Sequence, residues 1–181
     1  MKFTMDFNDG LGEVGASYHQ NGDGIVADTA TVCKGAYVDA GCSVYGNAYV
    51  DDTCEIYGNA SVYGNCVLKK YAVIDDNVEV FGTAMVEGVT IHGDSKVSKT
   101  PTVLLGFDHP IVITDDHVIL GCQSMKFDYW KDHGKAIIKV NGYPTKTSQR
   151  IHDVVDELKE LRISLYHQDE VQEALNMSEN E

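Results

Sequence analysis

Hydrophobic residues recur at a fixed period over the first half of the chain. Beginning at Val26, an aliphatic residue returns at every sixth position for eleven consecutive repeats. These positions are Val26, Val32, Val38, Val44, Val50, Ile56, Val62, Leu68, Ile74, Val80 and Val86. A second column, mostly of small residues, lies four positions after each: Ala30, Ala36, Cys42, Ala48, Cys54, Ala60, Cys66, Ala72, Val78, Ala84 and Thr90. Gly-Asn and Asp-Asn pairs, which tolerate the left-handed backbone of tight corners, lie between the columns. The pattern therefore predicts a three-sided coil in which both columns point inward and parallel coils stack on one another.

This repeat resembles the hexapeptide-repeat superfamily, strictly over residues 26–91 and loosely over residues 91–120. The resemblance implies a left-handed parallel β-helix with about 18 residues per coil. More narrowly, residues 19–30 and the repeated Val-Tyr-Gly-Asn are similar to a group of phage and bacterial hexapeptide proteins. Members of that group carry provisional labels as transferases or polymer-forming proteins, and the group implies no settled activity.

We therefore predict an all-β solenoid (a left-handed, three-sided parallel β-helix) with C-terminal α-helices. The predicted parts are an N-terminal cap at 1–24, the β-helix at 25–122 with an insertion near 92–110, C-terminal helices at 123–168 and an acidic mobile tail at 169–181. The insertion is expected because the small column is lost after Ile91 and a polar segment follows. Beyond it, the pairs Val112/Val118 and Ile113/Ile119 are expected to resume the hexad.

Two helices are expected after the solenoid. Met125–Val140 carries apolar residues at helical spacing and stops at Asn141-Gly142. Ser148–His167 carries a helical stripe of Ile151, Val154, Val155, Leu158, Leu161 and Leu165. This stripe is expected to cover the open end of the coil or to pair with the same helix of a neighbouring subunit.

Composition narrows the classes of partner. The 181-residue chain has a formal net charge of −14, which argues against broad binding to nucleic-acid phosphates. No apolar stretch is long enough to span a membrane and the first ten residues are mixed, so we expect no membrane span and no secretory signal. With five cysteines, an odd number, this predicts reduced thiols in the cytoplasm, or in the host cytoplasm if a phage encodes the protein. No CxxC spacing is present, so Cys42, Cys54 and Cys66 are expected to be small core residues.

The outward positions predict one surface of particular interest. Folding the chain at about 18 residues per coil stacks Tyr45, Tyr63 and Phe81, which we call the aromatic ladder, with rings about 4.8 Å apart. Such a face is typical of an oligomer interface or of a stacking surface for a ring-bearing ligand. The two interpretations are compatible, because the family resemblance implies trimers that hold ligands between subunits. The opposite wall of such a groove is predicted on a second face, through Tyr49, Lys69 and Lys70.

His109 is the candidate catalytic residue. It lies in the sequence Gly-Phe-Asp-His-Pro, and the His-Pro pair resembles the loop of hexapeptide acyltransferases whose histidine acts as general base with coenzyme A. Asp108 or Asp115 would orient its ring. The likeness covers only the His-Pro pair and no basic cluster for a coenzyme phosphate accompanies it, so a structural turn is favoured over catalysis.

The histidines also raise the question of a metal, because γ-type carbonic anhydrases share the fold that the resemblance implies. Those enzymes use three histidines, with one close pair and the third about two coils away. Here the candidates are His92, His109 and His117, whose spacing along the chain does not match that arrangement, and the coil region contains no arginine. We therefore predict no metal site.

Three functions follow as hypotheses. The first is a non-enzymatic homotrimer, without a cofactor, that binds a small ring-bearing ligand or a protein partner; three-fold symmetry would bury the aromatic face in every subunit. For a phage-like member, the resemblance implies a counter-defence protein that sequesters a nucleotide signal or blocks a host protein. The alternatives are an acyl-CoA-dependent acyltransferase that uses coenzyme A, and a structural or assembly module.

Overall fold

A computed structural model describes residues 2–178 of the protein, and the side chains of residues 2–164. The chain divides after Ser124 into two compact units. The first unit contains the strands of a solenoid, and the second contains two helices. No helix in the described part of the chain is long and apolar enough to cross a membrane.

The strands are short, as a repeat with a corner in every hexad requires. In chain order they are β1 (Lys2–Asp6), β2 (Glu13–Tyr18), β3 (Ile25–Ala27), β4 (Thr31–Val32), β5 (Tyr37–Val38), β6 (Ser43–Val44), β7 (Tyr49–Val50), β8 (Glu55–Ile56), β9 (Ser61–Val62), β10 (Val67–Lys69), β11 (Val73–Ile74), β12 (Glu79–Val80), β13 (Met85–Glu87), β14 (Thr90–Ile91), β15 (Lys96–Val97), β16 (Thr102–Leu104), β17 (Ile111–Ile113), β18 (His117–Leu120) and β19 (Gln123–Lys126). The helices are α1 (Phe127–Val140) and α2 (Thr145–Ser178).

Three parallel sheets form the sides of about four coils. The first face contains β3-β6-β9-β12-β15, the second β4-β7-β10-β13 and the third β5-β8-β11-β14. Every third strand pairs in parallel, so that Val44 lies beside Val62 and Tyr49 beside Val67, one full coil further along the chain in each case. The prediction of a three-sided parallel β-helix with C-terminal helices is confirmed.

Both inner columns form one continuous core. Val62 and Ala60 are fully buried, and so are nearly all of their counterparts in coils two to four. Burial of an aliphatic side chain of this size contributes about 1.5–3 kcal/mol. Because no single coil could bury its own aliphatic residues, stability depends on stacking one coil on the next.

The inner cysteines are inert members of this core. Burial raises the pKa of the Cys66 thiol to about 12 and that of Cys42 to about 11. Cys54 is likewise buried and its pKa is raised by the same cause, whereas Cys33 is half-buried and Cys122 is exposed.

Alkylation of the folded protein at pH 8 is therefore expected to modify Cys33 and Cys122 quickly and the three core thiols only after unfolding, because the thiolate is the reacting form. Mass spectrometry of the alkylated chain, with and without denaturant, checks this. Rapid modification of Cys42, Cys54 or Cys66 in the folded state would contradict the inward assignment.

The last coil is shorter than the others by a single residue. Val73 lies beside Thr90 and Glu79 beside Lys96, and each of these partners is one position nearer in sequence than the partners in the earlier coils. Val89, which is 7% exposed, therefore occupies the small inner column, and the assignment of Thr90 to that column is wrong because Thr90 is exposed. Gly88, with φ of +63°, lies at the shortened corner.

The parallel coils continue through β15, beyond the strict part of the repeat that ends at Ile91. Ser95 and Val97 are both fully buried, and β15 still pairs with β12 on the first face. The expected loss of the small column after Ile91 is wrong, because Ser95 continues that column. A polar serine replaces alanine in the small column, and its hydroxyl is satisfied by donating to the carbonyl of His92 at 3.0 Å.

Beyond Val97 the chain changes architecture. Strands β16, β17, β18 and β19 form a separate four-stranded sheet, in which β17 pairs antiparallel with both β16 and β18. The expectation that Val112/Val118 and Ile113/Ile119 resume a hexad is wrong, because these residues face each other across a hairpin in which Val112 pairs with Ile119.

The N-terminal residues form an antiparallel hairpin, β1–β2, rather than another coil. Strand β2 pairs antiparallel with β3 and so extends the sheet of the first face. Its inward residue Ala16 is fully buried against the end of that face. The segment between the two strands carries Phe7, which bears on the site below.

The two helices of the second unit contact each other. The ring of Trp130 on α1 stacks on that of His152 on α2 at 5.4 Å, and both are buried. The buried side of α2 includes Ile151 and Val155, whereas Val154 and Leu161 are exposed, so the predicted stripe is divided between two sides of the helix. Helix α2 runs to Ser178, through most of the predicted tail, and residues 179–181 lie outside the described residues.

Candidate functional site

The first face carries a continuous stack of parallel aromatic rings. The centroids of Tyr45 and Tyr63 are 4.8 Å apart with an interplanar angle of 3°, and those of Tyr63 and Phe81 are 5.3 Å apart at 9°. The spacing follows from the distance between paired strands, because each ring occupies the same position in successive coils. All three side chains are half-buried, so part of each ring remains open at the surface.

Phe7 extends the aromatic ladder at its N-terminal end. Its ring stacks on Tyr45 at 4.6 Å and 16°. The equivalent position in the first coil is Ala27, whose methyl group leaves room for a ring supplied by the hairpin. No periodic signal indicates this contact, because Phe7 lies outside the repeat.

The hydroxyl groups of the ladder are held in their neutral form. Burial raises the pKa of Tyr63 well above its usual range, and the hydroxyl donates a hydrogen bond to Glu79 at 3.1 Å, which raises it further. Burial, followed by the charges of Asp9 and Glu79, raises the pKa of Tyr45. Glu79 in turn lies 3.7 Å from the ammonium group of Lys96. The ladder is thus an uncharged aromatic strip bordered by an ion pair.

The other predicted ligand-binding residues lie on the second face, in a different sheet from the ladder. Lys69 and Lys70 both form ion pairs with Glu87, at 2.7 Å and 2.6 Å. Tyr49 is exposed and its hydroxyl lies 3.6 Å from the thiol of Cys33. That contact, together with nearby acidic groups, raises the pKa of Tyr49 to about 12. Within one chain these residues therefore form a separate surface with its own charge pairing.

A cavity of about 640 Å³ lies where the last coil meets the β17–β18 hairpin, and we call it the coil-end cavity. Its polar lining residues are Asp75, Asp76, Thr90, His92, His109 and Cys122. Its apolar lining residues are Val89, Pro110, Val112 and Ile119. Asp76, His109, Pro110 and Cys122 are exposed and mark its mouth.

His109 thus lines a cavity, although the sequence favoured a turn for it. The glycine Gly121, with φ of +60°, lets the imidazole approach closely: a Cβ there would lie 3.3 Å from its Cδ2 atom. Asp108 and Asp115 are the two carboxylates expected to orient the ring. Asp115 Oδ2 accepts the N–H of Ser98 at 2.6 Å, so this oxygen is hydrogen-bonded at the end of the coil. His92, on the same cavity, lies with Nε2 3.1 Å from the carbonyl oxygen of Gly121.

One group of possible metal ligands occurs among the described residues, and it does not include the three histidines considered above. The ligating atoms of Cys33, Asp51 and Asp52 lie within 4.8 Å of one another on the second face. Two of these groups already hold the corner, since Asp52 accepts the N–H of Gly35 at 2.9 Å and Asp51 accepts the N–H of Asp52 at 2.9 Å. His117 is buried, with Nδ1 2.8 Å from Asp116.

Fold and repeat together define the class of this protein as a parallel β-helix. No protein-family model, curated protein or solved structure matches the chain. Its function is therefore argued from its own residues.

Proposed function

We propose that this chain is a hexapeptide-repeat protein of the left-handed β-helix kind, that it forms a homotrimer, and that it binds a small ring-bearing molecule without catalysing a reaction. The observation that carries the proposal is the aromatic ladder: Tyr45, Tyr63 and Phe81 are parallel, half-buried and extended by Phe7. Aromatic surfaces of this kind favour other rings through offset or edge-to-face contacts.

The stack restricts how a ligand approaches. Both faces of the Tyr45 and Tyr63 rings are covered by neighbouring rings, so a flat ligand meets these two along their open edges. Edge-to-face packing suits that approach, because the edge of one ring is positive and the face of another is negative. The neutral tyrosine hydroxyls and the Glu79–Lys96 pair supply hydrogen-bonding groups at the border of the strip.

A trimer would complete the site from a second chain. A closed three-fold arrangement brings the first face of one subunit towards another face of its neighbour. In this arrangement Tyr49, Lys69 and Lys70 form the opposite wall. For a nucleotide ligand, the two ammonium groups would exchange Glu87 for phosphate oxygens. This site fits the role of a phage counter-defence protein that sequesters a nucleotide signal in the host cytoplasm. The alternative role is to bind a host protein on the same face.

Replacing Tyr63 with alanine is expected to weaken binding of the ligand by about 10- to 100-fold, because the ligand loses an edge-to-face contact together with the apolar area that it buries against this ring. The trimer is expected to survive, because one ring is a small part of a three-fold interface. The measurement is calorimetric titration with the compound that wild-type protein retains through purification, together with light scattering of both proteins.

Tyr57→Ala is the matched control. Like Tyr63, Tyr57 donates a hydrogen bond to a carboxylate, here that of Glu55 at 3.0 Å, but it lies on the third face. Its removal should leave binding unchanged. If Tyr63→Ala instead dissociates the trimer, the ladder is an interface and the assembly-module hypothesis is favoured; if it changes neither property, the proposed role of this face is wrong.

A second function, acyl transfer from coenzyme A, is favoured by one observation: His109 and His92 both line the coil-end cavity. General-base catalysis typically contributes about 10²–10⁴-fold to a rate, so His109→Ala would abolish most of such an activity. His133→Ala is a suitable control, because this exposed histidine lies on α1 and contacts the carbonyl of Tyr129.

We expect that neither variant changes binding of the ring-bearing ligand and that acetyl-coenzyme A is not consumed. Release of free thiol from acetyl-coenzyme A, monitored by a thiol reagent across a panel of amine and hydroxyl acceptors, checks this. Turnover that His109→Ala removes and His133→Ala leaves intact would replace the binding proposal with the acyltransferase.

A further inference from the structure

We propose that the coil-end cavity is a second binding site, independent of the aromatic ladder, and that it takes a small aliphatic amine. The cavity, at about 640 Å³, lies within the range of small-molecule sites, roughly 300–1,000 Å³. It combines an apolar wall with a few convergent polar groups, which is the usual composition of such sites.

The charge of the lining selects a cation. All lining residues come from two segments, 71–95 and 100–125, and neither contains a lysine or an arginine. Asp75 and Asp76 are the two acidic residues of the lining. An anion here would meet carboxylates without a counter-charge, whereas an ammonium group would gain charge-assisted hydrogen bonds.

The two carboxylates are fixed in place by the backbone. Asp75 Oδ1 accepts the N–H of Asp76 at 2.7 Å, and Asp76 Oδ2 accepts the N–H of Gly93 at 2.9 Å. Each of these bonds uses one oxygen, and a carboxylate has a second oxygen that accepts as well. Because the backbone already orients both groups, binding requires little ordering of side chains.

His92 is a further polar residue in the lining of the same cavity. Its Nε2 lies 3.1 Å from the carbonyl oxygen of Gly121, which only accepts, so this nitrogen carries the proton. In the neutral ring Nδ1 is then an acceptor. The apolar wall formed by Val89, Pro110 and Ile119 would contact the methylene chain that an aliphatic amine carries.

Cys122 provides a test that needs no variant. This exposed thiol lines the cavity, whereas the half-buried Cys33 on the second face does not. We expect 1,4-diaminobutane to slow alkylation of Cys122 by N-ethylmaleimide in a saturable way, to roughly one-tenth of the free rate at ten times the Kd, as mass action requires. Cys33 should keep its rate. 1,4-Butanediol, equal in length but uncharged, should protect neither thiol, and sodium chloride at matched ionic strength should not replace the diamine.

Two double variants test whether the carboxylates of Asp75 and Asp76 bind the amine. Asp75→Asn with Asp76→Asn keeps an acceptor at both positions and removes both charges, and we expect it to weaken diamine binding by roughly 10-fold or more, the scale of one charge-assisted hydrogen bond. Asp51→Asn with Asp52→Asn is the matched control, because it changes an Asp-Asp pair with the same local hydrogen bond on another face. Absence of saturable protection in the wild-type protein would overturn the proposal. Equal losses in both double variants, which indicate general counterion attraction, would overturn it as well. Tyr63→Ala should leave the diamine result unchanged, which separates this site from the ladder.

Discussion

Replacing Val62 with aspartate is expected to unfold the solenoid. Val62 is fully buried, with Val44 and Val80 in the strands directly beside it, and none of the three is reached by water. A carboxylate at this position has no cationic partner in the column, so the chain must bury a charge or protonate it. We expect a loss of roughly 4 kcal/mol or more, a large part of the roughly 5–15 kcal/mol that stabilises a typical domain. Urea denaturation followed by circular dichroism measures it.

Val67→Asp is the matched control for this substitution. Val67 begins a strand as part of the same repeat, but it points outward on the second face and is only half-buried between Tyr49 and Met85. The same change there is expected to cost about 1 kcal/mol or less, the range of strand propensities. Cys54→Ser, in the inner column, should cost an intermediate amount, roughly 1–3 kcal/mol, because a hydroxyl replaces a weakly polar thiol. If Val62→Asp and Val67→Asp have equal effects, the assignment of inward and outward positions is wrong.

Substitution of Gly58 by alanine is expected to produce the second-largest loss of stability. Gly58 has φ of +71°, and a Cβ added there would lie 2.6 Å from the carbonyl oxygen and 2.8 Å from the nitrogen of Asp76 in the next coil. That carbonyl accepts the N–H of Asn59 at 2.7 Å, so relief of the collision stretches a hydrogen bond between coils. The left-handed conformation alone costs a residue with a Cβ roughly 1–2 kcal/mol. With the collision added, we expect roughly 3–4 kcal/mol in the free energy of unfolding.

Gly106→Ala separates the two contributions. Gly106 also has positive φ, +94°, but no atom lies within 4 Å of the position that its Cβ would occupy. The free energy of unfolding of this variant should fall only by the cost of the left-handed backbone conformation, roughly 1–2 kcal/mol. Thermal unfolding of both variants compares them, and equal losses would mean that close stacking of the corners contributes nothing.

The coils could be predicted from the sequence because the same residue type is buried at the same position of every hexad. Each aliphatic residue from Val44 to Val80 has the same surroundings, one coil above and one below, so a single physical requirement repeats at every sixth position. The ring spacing of the aromatic ladder follows from the same repeat. The residues that the pattern placed on one face are on one face in the structure.

The parts that the sequence could not predict are those where the repeat ends. The last coil is one residue shorter near Gly88, so Val89 points inward and Thr90 lines the cavity. The hexad pattern does not indicate at which residue the coil is shortened. The hairpin β17–β18 imitates the hexad spacing of a coil while pairing antiparallel. Phe7 joins the ladder at Tyr45 through a contact between segments far apart in sequence, which depends on how the hairpin folds back.

The coil-end cavity depends on both of these irregularities. The short last coil supplies Thr90 and His92, and the hairpin supplies His109 and Cys122. In the sequence, His109 is marked only by its Pro neighbour, a pattern that favours a turn. Its position on a cavity wall becomes visible only when the coil and the hairpin are placed together, because no local pattern joins them.

Native mass spectrometry of the freshly purified protein tests whether a trimer holds a ring-bearing ligand at the aromatic ladder. We expect a species of about 60 kDa, three times the 19.9 kDa chain, that carries a releasable aromatic or heterocyclic compound. The Tyr63→Ala trimer should have the same protein mass apart from the substitution and lack the compound, whereas Tyr57→Ala should retain it. A monomer of 19.9 kDa at micromolar concentration, or a wild-type trimer that neither carries nor takes up any such compound, would contradict the claim.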